Sequence, residues 1–214
     1  MNRVLCCVTV SALVAAPAIA GGDDDFAWAV RGKTVVAQPD TLAQDATIEA
    51  VKTTPQFGAA DTWRWAIYGG GAADFDRSQH YNLHFSTEYF IADDFSVNLE
   101  LGVLYFNQID DTFGGNFNTL LRWHFLKGER WTIYMDAGAG LLATGDDVPD
   151  GGTSFNFTPQ AGMGTTIAVG NAGARLMTGL RWHHISNART NGDENNPGRN
   201  ALMGYVGISF PWGN

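Results

Sequence analysis

His184 and Ser186 are the two residues of this chain whose types and spacing could support covalent catalysis. They stand two positions apart in the segment RWHHISNA at residues 181–188. Because residues at i and i+2 of a β-strand project from the same face, a strand through this segment would bring the two side chains together. An imidazole beside a serine hydroxyl can act as the general base for a nucleophile. The spacing therefore predicts a candidate Ser-His site on one face of a strand.

The face that His184 and Ser186 share is otherwise apolar. It also carries Leu176, Leu180 and Trp182. The opposite face carries Arg175, Gly179, Arg181 and His183. An apolar outer face and a charged inner face are typical of a strand in a membrane β-barrel. Since the pair lies on the apolar side, the pattern predicts an enzyme that acts on membrane lipid.

Alternation with period two continues from residue 62 onward and predicts eight strands. They cover residues 62–74, 78–91, 95–106, 116–126, 131–143, 154–169, 172–186 and 202–212. Each is long enough to cross a bilayer at a tilt, which takes about 9–11 residues. The connections after strands two, four and six are short, and those after three, five and seven are long and polar, as in outer-membrane barrels. The predicted fold is all-β, an eight-stranded antiparallel transmembrane outer-membrane β-barrel over residues 62–214.

The alternative fold is a soluble eight-stranded barrel or sandwich, whose polar faces would carry more Lys and Glu. Here the polar faces are rich in Gly, Asn and Ser, with sparse charges of both signs, which fits a crowded lumen better. The charged residues predicted to point into the lumen are Arg64, Glu88, Glu100, Arg122, Asp136 and Arg181. A lone buried charge is costly, so we expect these groups to form ion pairs and the lumen to be filled by side chains.

The N-terminal residues 1–20 have the features of a secretory signal peptide, with Arg3 ahead of an apolar stretch and an AIA cleavage site. Both cysteines fall within this segment, so disulfides and thiolate chemistry are not expected in the mature chain. Residues 21–61 do not alternate and are expected to form a flexible periplasmic extension. The net charge of −9 argues against a nucleic-acid partner.

Nothing in the sequence has the spacing of a metal site, and no cofactor is expected. The acidic run DDVPD at residues 146–150 could bind calcium, but it lacks the spacing of an EF-hand loop. A solvated loop is the favoured interpretation of this run.

The C-terminal part of the chain resembles the PagL-type lipid A 3-O-deacylase family. The resemblance is carried by HISNA at residues 184–188, NPG at 196–198 and the final strand YVGISF at 205–210. It is specific over about residues 180–214, and the eight-strand layout extends it to residue 62. It implies a serine esterase of the bacterial outer membrane that removes an ester-linked 3-hydroxyacyl chain from lipid A of lipopolysaccharide in the outer leaflet.

The resemblance also implies roles for individual residues. Ser186 would be the nucleophile and His184 its general base. Asn196, together with the backbone N–H groups of Ala188 and Arg189, would stabilise the oxyanion. Arg189 departs from the family pattern, which often has Gly at this position.

Asn200 is the second departure, because it stands where the family has an acidic residue. An amide can orient a histidine but cannot offset the charge of an imidazolium ion. Asp193 or Glu194, in the preceding loop, could supply the carboxylate instead, so the third catalytic residue stays open at this point.

Two other functions remain open. A non-enzymatic structural or adhesive outer-membrane barrel is favoured by Asn200 standing in place of a carboxylate. A lipid A acyltransferase of similar size is disfavoured, since the motif of the seventh strand resembles that of the deacylases.

Overall fold

The computed structural model describes residues 56–74 and 78–213 as an antiparallel β-barrel. Its strands are β1 (Trp63–Asp74), β2 (Gln79–Ala92), β3 (Phe95–Asn107), β4 (Thr112–Lys127), β5 (Trp131–Val148), β6 (Thr153–Phe157), β7 (Gln160–Val169), β8 (Ala174–Ile185) and β9 (Arg199–Pro211). Strand β1 pairs with β9, and pairing of β4 with β5 closes the barrel. The predicted signal peptide and residues 21–55 of the predicted extension lie outside the described residues.

Strands β6 and β7 together form one of the eight elements of the barrel wall. Both pair antiparallel with β5, and the residues between them are Thr158 and Pro159. Proline has no N–H to donate to a ladder, so the sheet pattern is interrupted there. The prediction of a single strand over residues 154–169 is therefore wrong in detail, but the prediction of an eight-stranded barrel is confirmed.

Several strands extend further toward the long loops than the alternation predicts. Strand β4 begins at Thr112 rather than residue 116, β5 ends at Val148 rather than 143, and β9 begins at Arg199 rather than 202. Backbone pairing continues through Gly114 and Gly115, which have no side chain to show the period. The wall is consequently taller, and the outer loops shorter, than predicted.

The two faces of the wall differ as the alternation predicts. In β2 the polar side chains at positions 80, 82, 84, 86 and 88 are buried, while the apolar side chains of Tyr81, Leu83 and Phe85 are exposed. An apolar surface of this extent would be unfavourable in water but is the normal lipid-facing surface of a membrane barrel. Among the described residues, no helix is long and apolar enough to span a membrane.

The lumen is occupied by a buried network of ion pairs. Arg181 contacts Glu100 at 3.1 Å and Asp136 at 2.9 Å, and Arg122 contacts Asp136 at 2.9 Å and Glu88 at 3.7 Å. All five side chains are buried, so the predicted pairing of lumen charges is confirmed for them. Arg64, also predicted to point inward, instead donates hydrogen bonds to Ser209 and to the carbonyl of Gly173.

Residues 56–61 lie against the end of the barrel that carries the short turns. The ring of Phe57 packs between the guanidinium groups of Arg64 and Arg175, at 5.0 and 4.0 Å from the ring centre. The N–H of Asp94 donates to the carbonyl of Gly58 at 2.7 Å. This part of the predicted extension therefore contacts the barrel, whose opposite end carries the long loops and the candidate site.

Candidate active site

The side chains of His183 and His184 lie on opposite faces of strand β8. His183 is buried in the lumen, where its ring lies 5.2 Å from that of His80. Trp182 and His184 project from the opposite, outward face, with ring centres 5.8 Å apart and planes inclined by 26°. The candidate base therefore lies on the lipid-facing surface, as its position in the alternation predicts.

Asn200 lies directly opposite His184 on the neighbouring strand β9. His184 Nδ1 and Asn200 Oδ1 are 2.9 Å apart, and Trp182 Nε1 lies 3.0 Å from the same oxygen. An amide oxygen only accepts hydrogen bonds, so His184 donates through Nδ1–H. The remaining ring nitrogen, Nε2, then carries a lone pair that can accept a proton.

Ser186 follows the last residue of β8 and is held by an isolated bridge to Phe157. The Ser186 N–H donates to the Phe157 carbonyl at 3.2 Å, and the Phe157 N–H donates to the Ser186 carbonyl at 2.8 Å. This bridge continues the antiparallel pattern by one residue, so Ser186 retains the outward parity of His184. Within the part of the chain that the structure describes, the Ser186 hydroxyl makes no hydrogen bond, and catalytic hydrogen bonds often form only when substrate binds.

The loop after Ser186 is braced by asparagine side chains. Asn187, which is buried, accepts a hydrogen bond from the Arg189 N–H at 2.8 Å and donates to the Asn195 carbonyl at 2.7 Å. Its own N–H donates to Asn196 Oδ1 at 2.9 Å. The two bonds to Asn195 and Asn196 tie the residue after Ser186 to the far side of the loop.

The hydrogen bonds of this loop distinguish among the predicted oxyanion donors. The Arg189 N–H is already engaged by Asn187. Because Asn196 Oδ1 accepts from the Asn187 N–H, the donor end of this amide, Nδ2, faces away from that bond. Within residues 56–74 and 78–213, neither Asn196 Nδ2 nor the Ala188 N–H has a hydrogen-bond partner, so both can donate to a ligand.

Ala188 and Arg189 both have positive φ angles, of 52° and 63°. The Thr190 N–H donates to the Asn187 carbonyl at 3.1 Å, which closes a tight turn over residues 187–190. Left-handed conformations at non-glycine residues cost on the order of 1–2 kcal/mol each. The turn that follows Ser186 is therefore strained at both of its central residues.

The two loop carboxylates lie away from the base. Asp193 forms an ion pair with Arg189 at 3.1 Å, and both side chains are exposed. In the described part of the chain, neither Asp193 nor Glu194 forms a hydrogen bond or ion pair with His184. Among those residues, no group of three or more His, Cys, Asp or Glu side chains is arranged to bind a metal ion.

Comparison with known proteins identifies the family. The model of the family described as lipid A 3-O-deacylase (PagL) matches residues 50–209, which is most of the chain. The chain belongs to the PagL family.

Two solved structures share the fold of this PagL-family barrel. The crystal structure of the outer membrane enzyme PagL is 19% identical, with a TM-score of 0.52, and the match covers 70% of this chain and 99% of that one. Neisserial surface protein A (NspA) is 16% identical, with a TM-score of 0.54, over 72% of this chain and 99% of its own. No curated protein sequence matches. The family and the fold together identify this chain as a bacterial outer-membrane β-barrel.

The roles of two residues of the candidate site were not predicted from the sequence. The alternation places Trp182 on the outward face, but nothing in it indicates the hydrogen bond to Asn200. Asn187 is the first residue of the turn, and its hydrogen bonds across the loop are made to backbone groups that no sequence motif indicates.

Proposed function

We propose that this PagL-family barrel is a serine esterase of the outer membrane that hydrolyses the ester at the 3-position of lipid A and releases a 3-hydroxy fatty acid. The family match supports lipid A deacylation as the function. The observation that carries the proposal is the hydrogen bond between His184 Nδ1 and Asn200 Oδ1 on the lipid-facing surface, where His184 stands two residues before Ser186 on the same face. It leaves His184 Nε2 able to accept the proton of the Ser186 hydroxyl.

Acylation begins when His184 Nε2 removes the proton from Ser186 Oγ and the oxygen attacks the ester carbonyl. The carbonyl oxygen becomes an oxyanion, for which Asn196 Nδ2 and the Ala188 N–H are the available donors. As the tetrahedral intermediate collapses, the bond to the sugar oxygen breaks and the imidazolium returns its proton to that oxygen. The deacylated lipid A leaves, and the acyl chain stays esterified to Ser186.

Deacylation reverses these roles with water as the nucleophile. His184 takes a proton from the water, the hydroxide attacks the acyl carbonyl, and Ser186 is released with the proton restored. The products are one 3-hydroxy fatty acid and lipid A with a free hydroxyl. Arg189 takes no part as a backbone donor in this scheme, because Asn187 Oδ1 occupies its N–H.

The height of the candidate site on the barrel supports lipid A as the substrate. Strand β8 begins at the short-turn end of the barrel and ends near Ser186 at the end with long loops. In outer-membrane barrels the long loops face the cell exterior, where the outer leaflet holds the lipopolysaccharide. An outward-facing site at this height would meet the acyl chains of lipid A close to its sugar headgroup.

Mass spectrometry of lipid A tests the proposal. Cells that produce the wild-type barrel should yield lipid A lighter by one 3-hydroxyacyl chain than cells that produce Ser186→Ala at the same level in the outer membrane. Identical lipid A from both strains would reject the esterase and leave a non-enzymatic structural or adhesive barrel as the alternative.

A further inference from the structure

We infer that Trp182 is a positioning residue for His184, because it fixes which end of the Asn200 side-chain amide faces the histidine ring. The inference rests on the proposed esterase function. It concerns a residue that does not touch the reacting atoms and acts only through Asn200.

Asn200 differs from a carboxylate in symmetry as well as in charge. Either oxygen of a carboxylate accepts a hydrogen bond, so its rotation by 180° changes nothing for the histidine. The same rotation of an amide replaces the acceptor oxygen by the NH₂ donor. If that donor faced His184 Nδ1, the ring would have to carry its proton on Nε2, and Nε2 could no longer take the proton of Ser186.

Trp182 discriminates between these two orientations. The indole Nε1–H can only donate, and it lies 3.0 Å from the same Asn200 oxygen that His184 contacts at 2.9 Å. Rotating the amide would place its NH₂ group against two N–H donors, those of His184 and Trp182. A change of tautomer would remove the conflict at His184, but the indole N–H would still have no acceptor. The productive orientation is thus the one that satisfies both neighbours.

The placement of Trp182 suits this role. It stands two residues before His184 on the same face of β8, and the two rings are nearly parallel. The face is directed to lipid, where few water molecules compete for the indole N–H or solvate a rotated amide. The same side chain therefore restricts both the plane of the imidazole and the orientation of the amide.

A double-mutant cycle tests the inference with the full-length barrel in detergent micelles containing lipid A. Trp182→Phe keeps an aromatic side chain at this position but replaces the indole by a phenyl ring, which has no N–H to donate. In the natural Asn200 background it should lower kcat about fivefold with little change in KM. This is the effect expected from losing one hydrogen bond that favours the productive orientation of the Asn200 amide over the rotated one. In the Asn200→Asp background the same substitution should leave kcat unchanged, because a carboxylate needs no such bias.

Trp131→Phe is the matched control. Trp131 is 43% exposed against 44% for Trp182, and it begins β5 at the short-turn end of the barrel. It should leave kcat unchanged in both backgrounds. Equal losses from Trp182→Phe in the two backgrounds would overturn the inference, since a role in packing or membrane anchoring would not depend on residue 200.

A second measurement determines the tautomer of His184 directly and does not require enzymatic activity. Nitrogen-15 NMR of histidine-labelled barrel, with the His184 signal assigned by its loss in His184→Gln, should show the Nδ1–H tautomer in the wild type and a mixture of tautomers in Trp182→Phe. An unchanged tautomer in Trp182→Phe would overturn the inference. If the barrel instead shows no deacylation that depends on Ser186, the proposed function fails, and the tautomer measurement still decides whether Trp182 orients Asn200.

Discussion

His183 and His184 are consecutive in the chain, yet their side chains lie on opposite sides of the barrel wall. His183 is 2% exposed and contacts His80 in the lumen, whereas His184 faces outward and meets Asn200. The two histidines share a strand, a residue type and almost the same height in the membrane. Each is therefore a control for the other in any test of the proposed chemistry.

Replacement of the proposed nucleophile or base should abolish activity without unfolding the barrel. Ser186→Ala and His184→Gln should each lower kcat by a factor on the order of 10³ or more, since the two groups act as a unit. Both side chains lie outside the lumen, so heat-modifiable migration in detergent gels should stay as in the wild type. Release of fatty acid from purified lipid A measures the activity.

His183→Gln is the paired control for these variants. It should retain kcat while lowering the urea concentration at which the barrel unfolds, because the ring is buried against His80. An inactive His183→Gln together with an active His184→Gln would show that the outward histidine is not the base.

The sequence could separate the two histidines because the face of a strand residue depends only on its parity. A register error of one residue would exchange all inward and outward side chains, and the apolar band of eight strands excludes that error. The same parity predicts that Arg181 and Glu100 face the lumen, and in the structure the two form an ion pair there. The position of Asn200 directly opposite His184 depends on the register of β8 and β9, and β9 begins at Arg199, before the predicted start at residue 202.

The sequence could not predict the features that depend on backbone hydrogen bonds outside the regular ladder. The interruption between β6 and β7 arises where Pro159 lacks an N–H, although the Pro159 carbonyl still accepts a hydrogen bond from the His184 N–H at 3.0 Å. From residue 187 to 200, five asparagines have equivalent chemistry. Only their positions in space show that Asn187 braces the turn while Asn196 has a free donor.

Asn200→Asp should make the enzyme faster. The Asp side chain has the same shape, so it would accept the hydrogen bond from His184 in the same place and add the negative charge that stabilises the imidazolium ion. Charge-assisted hydrogen bonds are roughly twice as strong as neutral ones, which corresponds to about a tenfold rise in kcat. In serine proteases the reverse change, Asp to Asn, costs more, about 10⁴-fold, because there the amide imposes the wrong tautomer.

Asp193→Asn and Glu194→Gln are the controls for this gain. Neither side chain contacts His184 in the described structure, and Asp193 is engaged with Arg189. Both variants should keep the wild-type kcat. If either lost activity while Asn200→Asp changed nothing, the loop would supply the carboxylate and Asn200 would have no part in the reaction.

Asn196→Asp should lower kcat on the order of 10²-fold. The substitution keeps an oxygen that can accept from the Asn187 N–H, so the loop should hold its shape. It removes the Nδ2 donor and adds a negative charge beside the developing oxyanion, and loss of one such donor typically costs a factor of about 10²–10³. Asn195→Asp, one residue earlier and exposed, is the control with the same charge change and should retain activity.

Arg181→Met should destabilise the barrel strongly while leaving the site in place. Arg181 contacts both Glu100 and Asp136, and its removal would leave two buried carboxylates without their shared partner. Breaking a buried ion pair in this way typically costs about 3–5 kcal/mol. Urea unfolding followed by tryptophan fluorescence measures the loss.

Leu180→Met is the control, because Leu180 is the adjacent residue and faces lipid. It should unfold at the wild-type midpoint. An Arg181→Met variant as stable as the wild type would mean that the ion-pair network contributes nothing to folding.

Arg189→Gly should stabilise the chain and leave kcat unchanged. Arg189 adopts a φ of 63°, a conformation that glycine reaches without strain. The strain that the substitution removes from the folded state is larger than the stabilisation of the unfolded chain by the added flexibility of glycine. The ion pair with Asp193 is lost, but both partners are exposed and such pairs contribute little. We expect a net gain of about 0.5–1 kcal/mol in the free energy of unfolding, measured in urea. Catalysis should persist because the backbone N–H that Gly retains still donates to Asn187 Oδ1.

Asn191→Gly is the control, because Asn191 lies two residues further along the same loop and does not have a positive φ. It should destabilise the loop. A loss of stability in both variants would show that the turn at Arg189 is not strained.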